Sequence, residues 1–119
     1  MADHDAMMAR FVHDYLELLD HRLSSIRNHL DERNFMTAHV ALLSLESTSV
    51  MVGASALAQA AGRLREAVEQ GERDTVPVLL ADVAVEAEKT RAELADSQAA
   101  RGAEVVEPDD GQRRESANR

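Results

Sequence analysis

The chain has 119 residues, with 13 Lys and Arg against 22 Asp and Glu and a formal net charge of −9, a length that allows one compact domain and no more. That charge repels phosphate backbones and anionic lipid, and no basic cluster with interleaved aromatics offsets it, so nucleic acid and membrane surfaces are not expected partners. Aromatics make up 3% of the residues, and there are two prolines and five glycines. Such a chain must build its core from Leu, Val, Ala and Met and has few turn formers for strands, so an all-α fold is expected. The absence of cysteine removes disulfides, thiolate metal sites and a Cys nucleophile, in keeping with a reducing compartment. The acidic start, Met1 to Met8, lacks the basic and apolar regions of a signal peptide. No apolar run reaches the roughly 18 to 20 residues that cross a bilayer, and a soluble, cytoplasmic protein is expected.

In chain order, Phe11, Tyr15, Leu18, Leu19, Leu23, Ile26 and Leu30 recur at three and four residues with Asp14, Glu17, Asp20, Arg22 and Arg27 between them. This predicts one long amphipathic helix ending near Asp31 to Asn34. Residues 34–52 are almost continuously apolar or small, too long for a strand, and predict a second helix broken by Gly53. Leu57, Ala60, Ala61, Leu64, Ala67 and Val68 form the stripe of a third, with Ser55 as the expected N-cap and Gly71 as the stop. The fourth is expected to begin at Asp74 as N-cap, with Pro77 in its first turn and Leu79, Leu80, Val83, Ala87, Thr90 and Leu94 on its apolar face. Short connections make neighbouring helices antiparallel, so residues 1–100 are expected to form an up-down-up-down four-helix bundle. Residues 101–119 turn polar, with Val105 and Val106 as the only apolar pair and Pro108, Asp109, Asp110 and Gly111 following, and are expected to be a disordered tail.

The second helix departs from a routine bundle. If Ala38, Leu42, Leu45, Ser49 and Val52 face the core, then Met36, Val40, Leu43, Ser47 and Val50 form a second stripe with no partner inside four helices. A partner surface is expected there, from another protein or from a second copy of this chain.

The stretch from Asn34-Phe35 through Leu43-Ser44-Leu45-Glu46-Ser47-Thr48-Ser49-Val50-Met51-Val52-Gly53-Ala54, with Leu57 and the helix to Gly71, resembles the histidine phosphotransfer (HPt) domains of bacterial phosphorelays. The likeness covers Phe11 to about Leu94 and implies a four-helix bundle whose motif His-x-Leu-Lys-Gly is followed by a Gly-Ala pair starting ten residues after the His. Here that pair is Gly53-Ala54, which places Leu43 at the phosphoacceptor position, Leu45 on the motif Leu and Ser47 on the motif Gly. The chemistry departs: Leu43 has no nucleophilic atom, and Glu46 stands where the family has Lys and would repel a phosphoryl group. The resemblance therefore implies a non-catalytic module that binds a response-regulator receiver domain or a sensor histidine kinase through Met36, His39, Val40, Leu43, Glu46, Ser47 and Val50, and modulates phosphoryl flow.

A rival acceptor is His39, one turn before Leu43 on the same face and displaced by about 6 Å along the axis. Helical side chains lean toward the N-terminus, so Leu43 covers this imidazole where the family keeps Gly, and Leu42 stands where it keeps Lys. His39 is therefore expected to be a surface or interface histidine.

His13, Glu17 and His21 share one helix face at metal-ligand spacing, yet no second helix offers a legible partner ligand, and a solvated face is expected rather than a metal site. His4 is expected in a frayed terminus, and His29 near a helix C-terminus, where an imidazolium favours the dipole. Ser44, Ser47, Thr48 and Ser49 lack a legible base or oxyanion hole, and glycine-rich phosphate loops are absent, so neither an enzyme nor a bound cofactor is expected.

Overall fold

Four helices follow one another: α1 (Ala2–Asp31), α2 (Phe35–Met51), α3 (Ser55–Gln70) and α4 (Val76–Val106). The structure, a computed structural model, describes the backbone of residues 2–106 and the side chains of residues 6–100. α1 extends toward the N-terminus well past the stripe that begins at Phe11, because Ala6, Met7, Met8 and Ala9 are good helix formers. His4 thus lies within α1, its side chain outside the described part. Val12, Tyr15, Leu19, Ile26 and Leu30 are buried, whereas Leu18, expected in the same stripe, is 46% exposed. Adjacent helical residues diverge by about 100°, so Leu18 and Leu19 cannot both face inward, and Leu19 takes the core.

The first three helices end on the same device. α1 stops because Arg33 adopts φ 61°, and the N–H of Asn34 then reaches back to the His29 carbonyl at 2.8 Å, the long bond of a Schellman turn. Gly53 (φ 81°) and Gly71 (φ 71°) do the same for α2 and α3, with Ala54 N–H to the Ser49 carbonyl at 2.8 Å and Glu72 N–H to the Ala67 carbonyl at 2.9 Å. In the first two turns the residue after the left-handed one starts the next helix: Asn34 and Ala54 accept from Ala38 and Ala58, both at 3.0 Å.

This corrects the expected caps. Ala54, not Ser55, is the N-cap of α3, since the Schellman turn already places Ala54 at the boundary and draws Ser55 into the helix. Asp74 does not cap α4 either. It lies in a turn over residues 73–75, and the first α-type bond runs from Leu79 N–H to the Thr75 carbonyl at 3.0 Å. Pro77 sits in the first turn, where no N–H is required. α4 continues to Val106, so the expected tail boundary at residue 101 falls inside a helix; residues 107–119 lie outside the described part.

Each helix packs on its chain neighbours and α4 closes back on α1, with no close backbone approach across the diagonals among the described residues. The cross-links run in opposite senses, Tyr15 to Ser49 and Arg22 to Ser44 between α1 and α2, Ala9 to Gln98 and Asp20 to Arg91 between α1 and α4. The arrangement is therefore an antiparallel four-helix bundle. Its core holds Leu19, Ile26, Leu42, Leu45, Leu57, Leu64 and Val83, with Ala60, Ala61 and Ala87 allowing close approach. Among the described residues no helix is long and apolar enough to cross a membrane.

Candidate functional site

α2 occupies a corner of the bundle between α1 and α3. Ala38, Leu42, Leu45 and Ser49 are fully buried on its inner side, and Val52 is half-buried. On the outer side Met36 is 82% exposed, Val40 61%, Leu43 45% and Val50 63%, with Ser47 also exposed. The second stripe thus faces outward along the whole helix, uncharged from end to end. Met51 of α2, 60% exposed, and Leu18 of α1 are further exposed apolar side chains.

Burial of Ala38, Leu42 and Leu45 sets the rotation of α2, and two polar contacts with α1 add to it. Tyr15 Oη and Ser49 Oγ share a buried hydrogen bond of 2.8 Å. Burial pushes the Tyr15 phenol up, against the lowering effects of the Ser49 bond and the Arg22 charge. Arg22 Nη1 donates to Ser44 Oγ at 3.0 Å. A turn of α2 that brought Leu43 inward would leave the Tyr15 hydroxyl buried without its partner.

Along the edge facing α3, charges are paired within the chain. Arg65 donates through Nε to Glu46 Oε2 at 2.9 Å and through Nη2 to Glu46 Oε1 at 3.3 Å, a two-pronged pair on half-buried side chains. Gly62 makes room for it, since a Cβ there would lie 3.2 Å from Glu46 Oε2. His39 Nε2 lies 2.6 Å from Glu69 Oε2, and the same oxygen accepts from Arg65 Nη1 at 3.4 Å. The hydrogen bond from His39 is the chief cause that holds the Glu69 carboxyl below its ordinary value, with desolvation opposing and the His39 and Arg65 charges adding to the lowering.

The predicted partner-binding residues therefore divide. Met36, Val40, Leu43, Ser47 and Val50 form the open face; His39 and Glu46 form its α3-side edge and are bound to α3. Neither the His39 nor the Glu46 pairing was legible in the sequence, because both link residues far apart in the chain.

Elsewhere, His13 and Glu17 lie side by side on exposed α1, 3.8 Å apart, with His21 exposed one turn further, and no group of three ligands that could hold a metal occurs among the described residues. His29 is in the last turn of α1, its Nδ1 buried. Of the hydroxyls on α2, Ser44 accepts from Arg22, Thr48 Oγ1 donates to the Ser44 carbonyl at 2.9 Å and Ser49 bonds Tyr15. Comparison with protein-family models, with curated proteins and with solved structures gave no match for this chain.

Proposed function

We propose that this protein is a non-enzymatic, HPt-like module of a cytoplasmic phosphorelay that docks a response-regulator receiver domain or a sensor histidine kinase through the outer face of α2. The observation that carries the reading is the position of Leu43. It stands at the centre of an exposed, uncharged helical face, at the position where the resemblance to HPt domains expects the phosphoacceptor His. A phosphoaspartate brought over this position meets an alkyl side chain with no lone pair to attack phosphorus. The nearby Glu46 carboxylate is held by Arg65 and is turned toward α3 rather than toward the face. The phosphoryl group therefore stays on the receiver, while the occupied receiver surface is denied to a genuine phosphotransfer partner. Transfer through His39 is the weaker reading, because its Nε2 already faces the Glu69 carboxylate, which would repel an incoming phosphoryl group.

The test measures binding of purified receiver domains and kinase cytoplasmic domains from the source organism to wild type and Leu43→Asp. It is paired with the rate at which a phosphorylated receiver passes its group to an authentic HPt domain. The expected result is binding by wild type, loss of at least tenfold in affinity for Leu43→Asp, slower transfer in the presence of wild type, and no phosphate on the protein itself. Equal binding by both proteins, or acid-labile phosphate that disappears in His39→Ala, would overturn the reading.

A further inference from the structure

Five exposed residues of α2 follow one another at steps of four, three, four and three: Met36, Val40, Leu43, Ser47, Val50. This is the a/d spacing of a helix-on-helix seam, and it lies opposite the fully buried Ala38 and Leu45. With Val40 and Ser47 lettered a, the e positions are Thr37, Ser44 and Met51, all uncharged, and the g positions are His39 and Glu46. Both of these are already answered within the chain, Glu46 by Arg65 at 2.9 Å and His39 by Glu69 at 2.6 Å. The seam and its two edges thus present no unpaired charge. The outer surface of α4, by contrast, carries Asp82, Glu93 and Asp96 in exposed positions, and Asp14 is exposed on α1, while Asp20 and Glu88 share the single cation Arg91. In a chain of net charge −9, the α2 face is the surface on which two copies meet with the least repulsion.

We infer that a second copy of this chain covers the seam, α2 packed antiparallel on α2 about a two-fold axis that crosses the seam between Leu43 and Ser47, level with residue 45. In this register Leu43 lies against the partner's Ser47 and Val40 against the partner's Val50, and the reciprocal contacts follow from the symmetry. Leu43 then meets the small Ser47 and Val40 meets a side chain of its own size, so no layer sets Leu on Leu or Ser on Ser, and the helix dipoles oppose favourably. A parallel pairing instead sets Ser47 on the partner's Ser47 and Leu43 on the partner's Leu43, which leaves a gap in one layer and crowds the next.

α2 has 17 residues, which makes it about 25 Å long. A single helix pair of that length buries on the order of 500 Å² per copy, below the roughly 800 Å² of a standard interface, so the dimer is weak and dissociates on dilution. One consequence rests on the docking reading above: the same face cannot hold a second copy and a receiver at once, so dissociation uncovers the docking surface and local concentration regulates it.

Sedimentation equilibrium of the full chain from about 1 μM to 1 mM tests the self-association without any receiver present. Wild type is expected to rise from the 13.1 kDa monomer toward twice that mass, while Leu43→Asp stays monomeric with unchanged helix content. The chain has no cysteine, so Ser44→Cys, beside the axis, is expected to form a disulfide-linked dimer on mild oxidation, and Met36→Cys, far from it, is not. A wild type that stays monomeric throughout, a Leu43→Asp dimer of equal strength, failure of Ser44→Cys to cross-link, or equal cross-linking at both positions overturns the inference. A monomer that still binds a receiver sinks this inference alone, and a dimer that binds none sinks the docking reading alone.

Discussion

The Tyr15–Ser49 hydrogen bond adds a buried polar constraint to the apolar packing that turns one side of α2 inward, and its removal gives a sharp test of that role. The two oxygens meet at 2.8 Å with Tyr15 4% and Ser49 0% exposed. Ser49→Ala leaves a buried phenol hydroxyl without a partner and is expected to cost about 1–3 kcal/mol. Tyr15→Phe leaves the Ser49 hydroxyl, which on a helix can turn to the carbonyl four residues back, and is expected to cost less, about 0.5–1.5 kcal/mol. The double variant removes both polar atoms, so its loss falls short of the sum by about 1 kcal/mol. For a domain of this size each kcal/mol moves the melting temperature by about 4–8 °C, well within reach of urea and thermal unfolding followed by helix circular dichroism. The alkaline limb gives a second readout, because the chain has one Tyr and no Trp and tyrosinate absorbance reports on this residue alone. Burial raises the phenol above 10.0 in the folded chain. Stability from this group is therefore whole below about pH 10 and is lost as pH rises toward the folded value. Additivity of the two substitutions within about 0.3 kcal/mol, or an ordinary titration of Tyr15 with the helices intact, would refute the argument.

Four further outcomes follow from the geometry. Leu42→Ala, at a fully buried position, is expected to cost about 2–5 kcal/mol, whereas Leu43→Ala beside it changes stability by less than about 1 kcal/mol; urea unfolding of the pair reads this directly. Arg33→Gly relieves a left-handed residue at φ 61° and is expected to stabilise the chain by about 0.5–1 kcal/mol in the same assay. Gly71→Ala, with open space around its Cβ but φ at 71°, is expected to destabilise by about 1 kcal/mol through backbone strain alone. The Glu69 carboxyl, held low chiefly by His39, contributes stability above its unfolded value near 4.5 that is lost as pH falls through the folded value; its carbon NMR titration should move back up in His39→Ala.

The helices and the inner core were legible because a 3.6-residue period is local information: Ala38, Leu42, Leu45 and Ser49 could be set against Met36, Val40, Leu43 and Val50 from spacing alone, and the structure places the first group inside and the second outside. The caps were less legible. Ser55 and Asp74 have the right side chains, but the boundaries were decided by where the preceding turn ended, and Ala54 inherited its place from Gly53. Leu18 was ambiguous because a Leu-Leu pair satisfies the period in two ways. The edge of the candidate site was not legible at all, since Glu46–Arg65, His39–Glu69 and Tyr15–Ser49 join residues on different helices.

Amide chemical-shift mapping tests the proposed docking through the outer face of α2 most directly. Labelled protein, dilute enough to be monomeric, is titrated with each purified receiver and kinase domain. Perturbed amides are expected to cluster between Met36 and Met51 with Leu43 at the centre, and Leu43→Asp is expected to abolish the perturbations. Perturbations centred on α3 and α4, or silence from every receiver and kinase domain, would contradict it.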